Sequence, residues 1–235
     1  MSNDPIYLWK SLRKGTVSAH NDFKWKVGKW YKVETPISIC NNGFHASENI
    51  IHAMRYVECE VLAQVEVRGE FEKGIDKQCW SEMRIIKKWN WTIENSIELS
   101  IYSASLVLDN YEKVYPNDKR PREAIDAAKE YLKYKTSAAW SAARSAAKAA
   151  QSSAWSAWST ESAARSAWSA WSAARTTWSA ARSARAAAQS AIWAAESAIG
   201  AAAEPELVDR NIHNWILKII KKDTHSNGNS VQGNN

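Results

Sequence analysis

The chain has little of what usually staples or hinges a protein. Of its 235 residues, three are cysteine, five proline and eight glycine. Cys40, Cys59 and Cys79 make an odd count with no CxxC spacing. That argues against a disulfide framework and a structural zinc site. No run of about eighteen apolar residues occurs, so no membrane-spanning helix is expected. There is no phosphate-cradling glycine loop, no HExxH, no GxSxG and no paired metal-ligand spacing. Neither a cofactor nor a metal is therefore expected. Met1-Ser2-Asn3-Asp4-Pro5 does not open a signal peptide, and the expected location is the cytoplasm.

What is present points to a globular chain with an anionic partner. Apolar residues make up 45% and charged residues 24%, and the net charge is +6. Such a balance favours nucleic acid, nucleotides or another acidic ligand. The 14 tryptophans are the most unusual feature.

Composition changes near residue 136. The first part alternates short β-branched and aromatic runs. "IYLWK" (6–10), "ISIC" (37–40), "CEVLAQVEVRGEFE" (59–72) and "CWSEMRII" (79–86) read as strands. In the third, Val61, Ala63, Val65 and Val67 alternate with Leu62, Gln64, Glu66 and Arg68, the period of a half-buried strand. "SENIIHAMRYV" (47–57) reads as a short helix capped by Ser47 with Glu48 in its first turn. Ile93, Ile97, Ile101 and Leu108 mark a second helix. Pro121 in a first turn and the stripe Ala124, Ile125, Ala128 and Leu132 predict a third, over about 120–135.

Residues 137–199 contain neither proline nor glycine and are rich in alanine, the best helix former. As one helix they would run about 95 Å. A ten-residue period does not fit one helix, however. Trp158, Trp168 and Trp178 are ten apart, as are Arg165, Arg175 and Arg185. Their stripe would wrap around a cylinder of 3.6 residues per turn. Residues 138–155 also match 176–193 at twelve of eighteen positions, an offset of 38, typical of stacked helix pairs. Two to four antiparallel helices are expected. Their breaks are sought at Gln151-Ser152-Ser153, Ser159-Thr160-Glu161 and Thr176-Thr177. After Pro205, Leu207, Ile212, Trp215, Ile216 and Ile219 form the inward stripe of a closing helix. The sequence thus predicts an α+β chain: a mixed N-terminal domain (1–112), an Ala/Ser/Trp-rich helical bundle (113–222) and a disordered polar tail (223–235).

"WSAAR" occurs at 140–144, 171–175 and 178–182. At i,i+4 each guanidinium can stack on its indole, setting an aromatic plate beside a cationic fork. A nucleotide uses both. Trp158, Arg165, Trp168, Trp171, Arg175, Trp178, Arg182 and Arg185 are the candidate ligand-binding residues. The alternative for each tryptophan is packing against alanine faces. His45, in Gly43-Phe44-His45-Ala46 before a helix, is a second candidate. Lys77 and Lys10 are placed to share its cleft, and Cys40 reads as a small buried hydrophobe. No catalytic residue is assigned.

Two resemblances follow from these motifs. "WKVGKWYKVETPISICNNGFHAS" (25–47) and "VEVRGEFEKGIDK" (65–77), with Tyr7 and Lys10, resemble an uncharacterised bacteriophage domain. "YPNDKRPREAIDAAKEY" (115–131) and the helices behind it resemble immunity proteins encoded beside polymorphic toxins. The strand layout loosely resembles ADP-ribosyltransferase folds, but their Ser-Thr-Ser strand and catalytic Glu motif are absent. The resemblances imply a phage protein acting in the host cytoplasm, in conflict between genetic elements. The expected function is non-enzymatic: an anti-defence sponge that sequesters an anionic, nucleotide-derived immune signal. The alternatives are an immunity or inhibitor protein that binds a toxin or effector protein through its helical face, and a nucleotide-processing enzyme using His45. The expected partners are an anionic small molecule, a nucleotide, then a host or toxin protein, with no membrane. A homo-oligomer is expected.

Overall fold

The computed structural model describes residues 4–55, 57, 59–157, 159–180 and 184–226. The chain divides into two compact units, with changes at Trp91/Thr92 and, near the end of the last helix, at Lys221/Lys222. It is α+β, as the sequence predicted.

The first unit holds an antiparallel sheet of five strands: β1 (Ile6–Leu12), β2 (Tyr31–Lys32), β3 (Phe44–Ala46), β4 (Val61–Lys73) and β5 (Gln78–Asn90). Its order is β1-β4-β5-β2, with β3 also pairing β5. The β4–β5 hairpin is the spine. Val61, Ala63, Val65 and Val67 face inward as their alternation dictates, and pack with Leu8, Leu12, Trp80, Met83 and Ile85. Each such side chain contributes roughly 1.5–3 kcal/mol by leaving water. The hairpin's register shifts between Arg68 and Phe71. Gly69 sits there at φ 86°, and a Cβ on it would lie 2.3 Å from Ser81 Oγ. That hydroxyl instead accepts the Glu70 N–H at 2.9 Å.

Two local expectations are corrected. "ISIC" is not a strand. Ser38 O accepts the N–H groups of Asn41 and Asn42, and Cys40 has φ 68°, so the segment closes into a turn. The short helix α1 spans Ile50–Arg55, and its start is held by Asn49, whose Oδ1 accepts the Ile51 N–H at 2.7 Å. Ser47 is bound elsewhere, exchanging two backbone hydrogen bonds with Trp9.

The second unit is helical: α2 (Ile93–Val114), α3 (Arg120–Tyr134), α4 (Ser137–Ser156), α5 (Glu161–Ala180), α6 (Ala184–Ala201) and α7 (Pro205–Ser226). The boundary expected at 112/113 therefore falls inside α2. Thr92 and Thr136 cap α2 and α4, each accepting the N–H three residues on. Pro121 stands in the first turn of α3, and Lys135 ends it in the left-handed region. α7 runs to Ser226, beyond the expected start of the tail.

The Ala/Ser tract forms three helices. The Ser159-Thr160-Glu161 break is real: the chain leaves α4 at Ala157, and α5 begins at Glu161. The other two expected breaks are not. Gln151-Ser152-Ser153 lies within α4, and Thr176-Thr177 lies within α5. Ser and Thr stay helical by bonding back along the helix: Thr176 Oγ1 donates to Ser172 O at 2.8 Å and Thr177 Oγ1 to Ala174 O at 2.7 Å. The 38-residue offset is not structural either. It sets the first turn of α4 against the last turn of α5.

Helix α5 is the centre of this unit. Ala163, Ala167, Ala170, Ala173 and Ala174 are buried, as are Ser166, Ser169, Ser172, Thr176 and Thr177. Its remaining face carries Arg165, exposed, and Trp168, Trp171 and Arg175, half-buried. Its small residues let α2, α3, α4 and α6 approach closely. Tyr111 of α2 packs on Ala163 and Ala167, Ala147 and Ala150 of α4 on Ala174, and Ser169 Oγ donates to Ala194 O of α6 at 2.8 Å. In α7, Ile212, Ile216, Ile219 and Ile220 are buried, and Trp215 stacks on Tyr102 at 5.1 Å. Leu207, expected inward, is exposed.

Candidate functional site: a basic cleft in the first unit

A cavity of about 400 Å³ opens in the first unit, between β1, the 18–25 segment and the turn that leads into β3. Aromatic rings build one wall. Phe23, Trp25, Tyr31 and Phe44 meet at 4.9–6.2 Å, edge to face except for the tilted Phe23–Phe44 pair, and all but Tyr31 line the cavity. Gly43 (φ 127°) makes the turn possible: a Cβ there would lie 2.3 Å from Cys79 Sγ. The chain thus lies flat on β5 before Phe44 and His45 enter β3.

The charged lining has one sign. Lys10 and Lys77 line the cavity with His20, His45 and His52, and no Asp or Glu is among the described lining residues. Lys10 enters from β1, its ammonium withdrawn from solvent. It donates to the His45 carbonyl oxygen at 2.7 Å and lies 5.6 Å from the centre of the Trp25 ring. No carboxylate pairs with it among the described residues. Burial brings its pKa down to about 8, against a small opposing effect of Cys79. An ammonium has three donors, so two remain for a ligand.

His45 is held at both ends. Its Nε2 accepts the Cys40 backbone N–H at 2.9 Å, and its carbonyl takes Lys10. Burial first, then the charges of Lys10 and Lys77, lower its pKa to about 4. The ring is neutral at pH 7 with its proton on Nδ1, and its lone pair is already occupied. It can donate to a ligand, but it is poorly placed to take a proton. Lys77 Nζ donates to Cys40 Sγ at 3.1 Å. Cys40 is exposed, so the expectation of a buried small hydrophobe is corrected: its left-handed turn carries the thiol outward. Among the described residues no group of three or more His, Cys, Asp or Glu side chains is placed to hold a metal ion.

The candidates thus separate into two groups. His45 and Lys77 share the cleft. The tryptophan–arginine set lies in the second unit, where its members have different fates. Arg175 is clasped between Trp171 and Trp193, 4.9 and 4.7 Å from their ring centres. Arg144 lies 5.7 Å from Trp140, so the i,i+4 stacking is present in both pairs. Arg165 is bound to Glu161 at 2.8 Å, with its side chain against Gly200. Trp168 meets Trp155 and Trp171 edge to face. Trp158 and Arg182 fall outside the described residues, as do the side chains of Trp178 and Arg185.

Sequence reasoning missed His20, His52 and the aromatic wall. The run "DFKWKVGKWY" (22–31) held the signal for the wall, since four aromatics within ten residues of a strand-poor stretch need somewhere to pack. For His20 and His52 there was none, because they arrive from separate segments.

A domain of unknown function (DUF7666) matches residues 6–94. That span is similar to this family and covers the sheet and the cleft. No curated protein and no solved structure matches the chain. Among the described residues no helix is long and apolar enough to cross a membrane.

Proposed function

We propose that the chain is a binding protein that holds a small phosphate-bearing anion, a nucleotide or nucleotide-derived molecule, in the cleft of the first unit. One observation carries this reading. Lys10 is a part-buried lysine whose ammonium has a single hydrogen-bond acceptor, in a cavity whose charged lining is wholly basic. Burying an unpaired charge is costly, and an anionic ligand offsets that cost. The aromatic wall offers a stacking surface for a base, and the volume falls within the usual range for small-molecule sites. Binding is favoured over catalysis because His45 is neutral and its lone pair is engaged. In the phage setting suggested by the N-terminal resemblance, the ligand is an immune signal and the activity is its sequestration.

Titration calorimetry with a panel of linear and cyclic nucleotides and inorganic phosphate tests this. A nucleotide should bind, and heat denaturation should return it chemically unchanged. Recovery of an altered nucleotide would make the protein an enzyme. Absence of heat with every ligand, or unchanged binding by Lys10→Met, would remove the cleft as the site.

A further inference from the structure

The second unit carries a separate surface that the cleft does not explain. Trp155, Trp168, Trp171, Arg175 and Trp193 form an unbroken row across α4, α5 and α6. Successive members lie 5.6, 4.9, 4.9 and 4.7 Å apart. The row reaches solvent at both ends, where Trp155 is 58% and Trp193 39% exposed. Its middle is half-buried. Trp168 and Trp171 rest on buried alanines, which keeps the rings from swinging away.

The charge of this stretch of sequence is also one-sided. Between Ser137 and Ala201 there are six Lys and Arg residues and two Glu. Glu161 is taken by Arg165, and Glu196 is half-buried. Arg175, in the middle of the row, has no carboxylate partner among the described residues. Its guanidinium lies against two indoles, those of Trp171 and Trp193, and is half-buried. Burial lowers its pKa, so an anion meeting it gains from a poorly solvated charge.

We propose that this row is a binding surface for single-stranded nucleic acid. Exposed indoles take unpaired bases, and the edge of Arg175 takes a phosphate between them. Indoles on either side of a cation suit a strand in which a phosphate lies between two bases, and stacking of this kind tolerates any base. A protein partner fits less well. The three helices are built mainly of alanine and serine, residue types depleted at protein interfaces.

The experiment is titration of the full chain with a short oligodeoxythymidine, read by tryptophan fluorescence and anisotropy. Binding should quench the fluorescence and weaken as salt rises. Trp155→Ala should weaken it about tenfold, and Trp155→Phe should restore most of the loss. Arg175→Lys keeps a charge but loses the planar fork, and should weaken binding with helicity unchanged by circular dichroism. Lys10→Met should leave it intact, which separates this surface from the cleft. The proposal fails if the oligonucleotide does not bind, or if the Trp155 and Arg175 variants stay folded and bind as the wild type does. It also fails if sedimentation shows that Trp155→Ala dissolves an oligomer, since the row would then be a contact between copies of the chain.

Discussion

The two units handle positive charge in opposite ways. In the first, Lys10 is drawn into a cavity with one backbone acceptor and no carboxylate, and its pKa falls to about 8. In the second, Arg175 is half-buried near the surface, against the indoles of Trp171 and Trp193. Lysine tolerates the first treatment because it can shed its proton, whereas arginine cannot. A cavity with a titratable cation suits one small ligand whose binding restores the charge. A permanent cation in an aromatic row suits a longer ligand that slides past. The difference between the units is thus one of side-chain chemistry as much as of fold.

The sharpest way to break this comparison is Lys10→Met. It should reduce affinity for a cleft anion by more than about a hundredfold, the worth of a charge-assisted contact in a dry site. It should also raise stability at pH 7, by about 2 kcal/mol after discounting for solvent at the stem. Calorimetry and urea unfolding read the two effects. A loss of stability would make Lys10 a scaffold residue.

Next in size is the packing of α5. Ala173 is fully buried beside Leu108 and Ile125. Ala173→Leu should destabilise the second unit by about 1–3 kcal/mol through overpacking, while binding in the cleft persists. Loss of both functions together would show that the units do not act independently.

A pH series sharpens the contrast. Affinity of the cleft for a phosphate that is fully ionised across the range should fall as pH rises through about 8, where Lys10 loses its proton. Oligonucleotide binding at Arg175 should stay flat over that range. Stability should move the other way for Lys10. Between about 8 and 10.5 the unfolded chain holds that proton and the folded chain does not, so this group's contribution rises with pH. His45 acts at the acid end. From about 6.5 down to about 4 the unfolded ring is protonated and the folded ring is not, so stability falls as pH falls.

The smallest expected effect is Arg165→Ala. Its partner Glu161 is exposed at i,i+4, and such pairs contribute under about 1 kcal/mol. Neither ligand should notice the change, although the sequence ranked Arg165 with Arg175. Chemical denaturation and both binding assays check this.

The contrast between Arg165 and Arg175 shows what sequence reveals. Both follow a tryptophan by seven residues, so the ten-residue repeat treats them alike. The residue four before each separates them, Glu161 for Arg165 and Trp171 for Arg175, and so does α6, where Trp193 lies against Arg175 and Gly200 receives Arg165. Period-two alternation exposed β4, and the absence of proline and glycine exposed the helical tract. The breaks were less legible, because Thr176 and Thr177 satisfy their hydroxyls within the helix and do not end it. In the cleft, Lys77 and His45 were legible as a pair. The burial of Lys10 was not, since it depends on β3 bringing the His45 carbonyl across to β1.

Helix α5 has a consequence for how this gene can change length. Short tandem units of this kind expand and contract when a polymerase slips. Removing ten residues from a helix rotates everything downstream by about 80°. On α3, with one apolar stripe, such a turn would swing charge into the core. On α5 small residues meet the neighbouring helices, but Arg165, Trp168, Trp171 and Arg175 stand along the one remaining face, and a rotated helix would turn indole and guanidinium toward those neighbours. The stretch most exposed to slippage is therefore one whose packing depends on phase. Copy-number variants of the repeat should unfold at lower temperature than the parent chain.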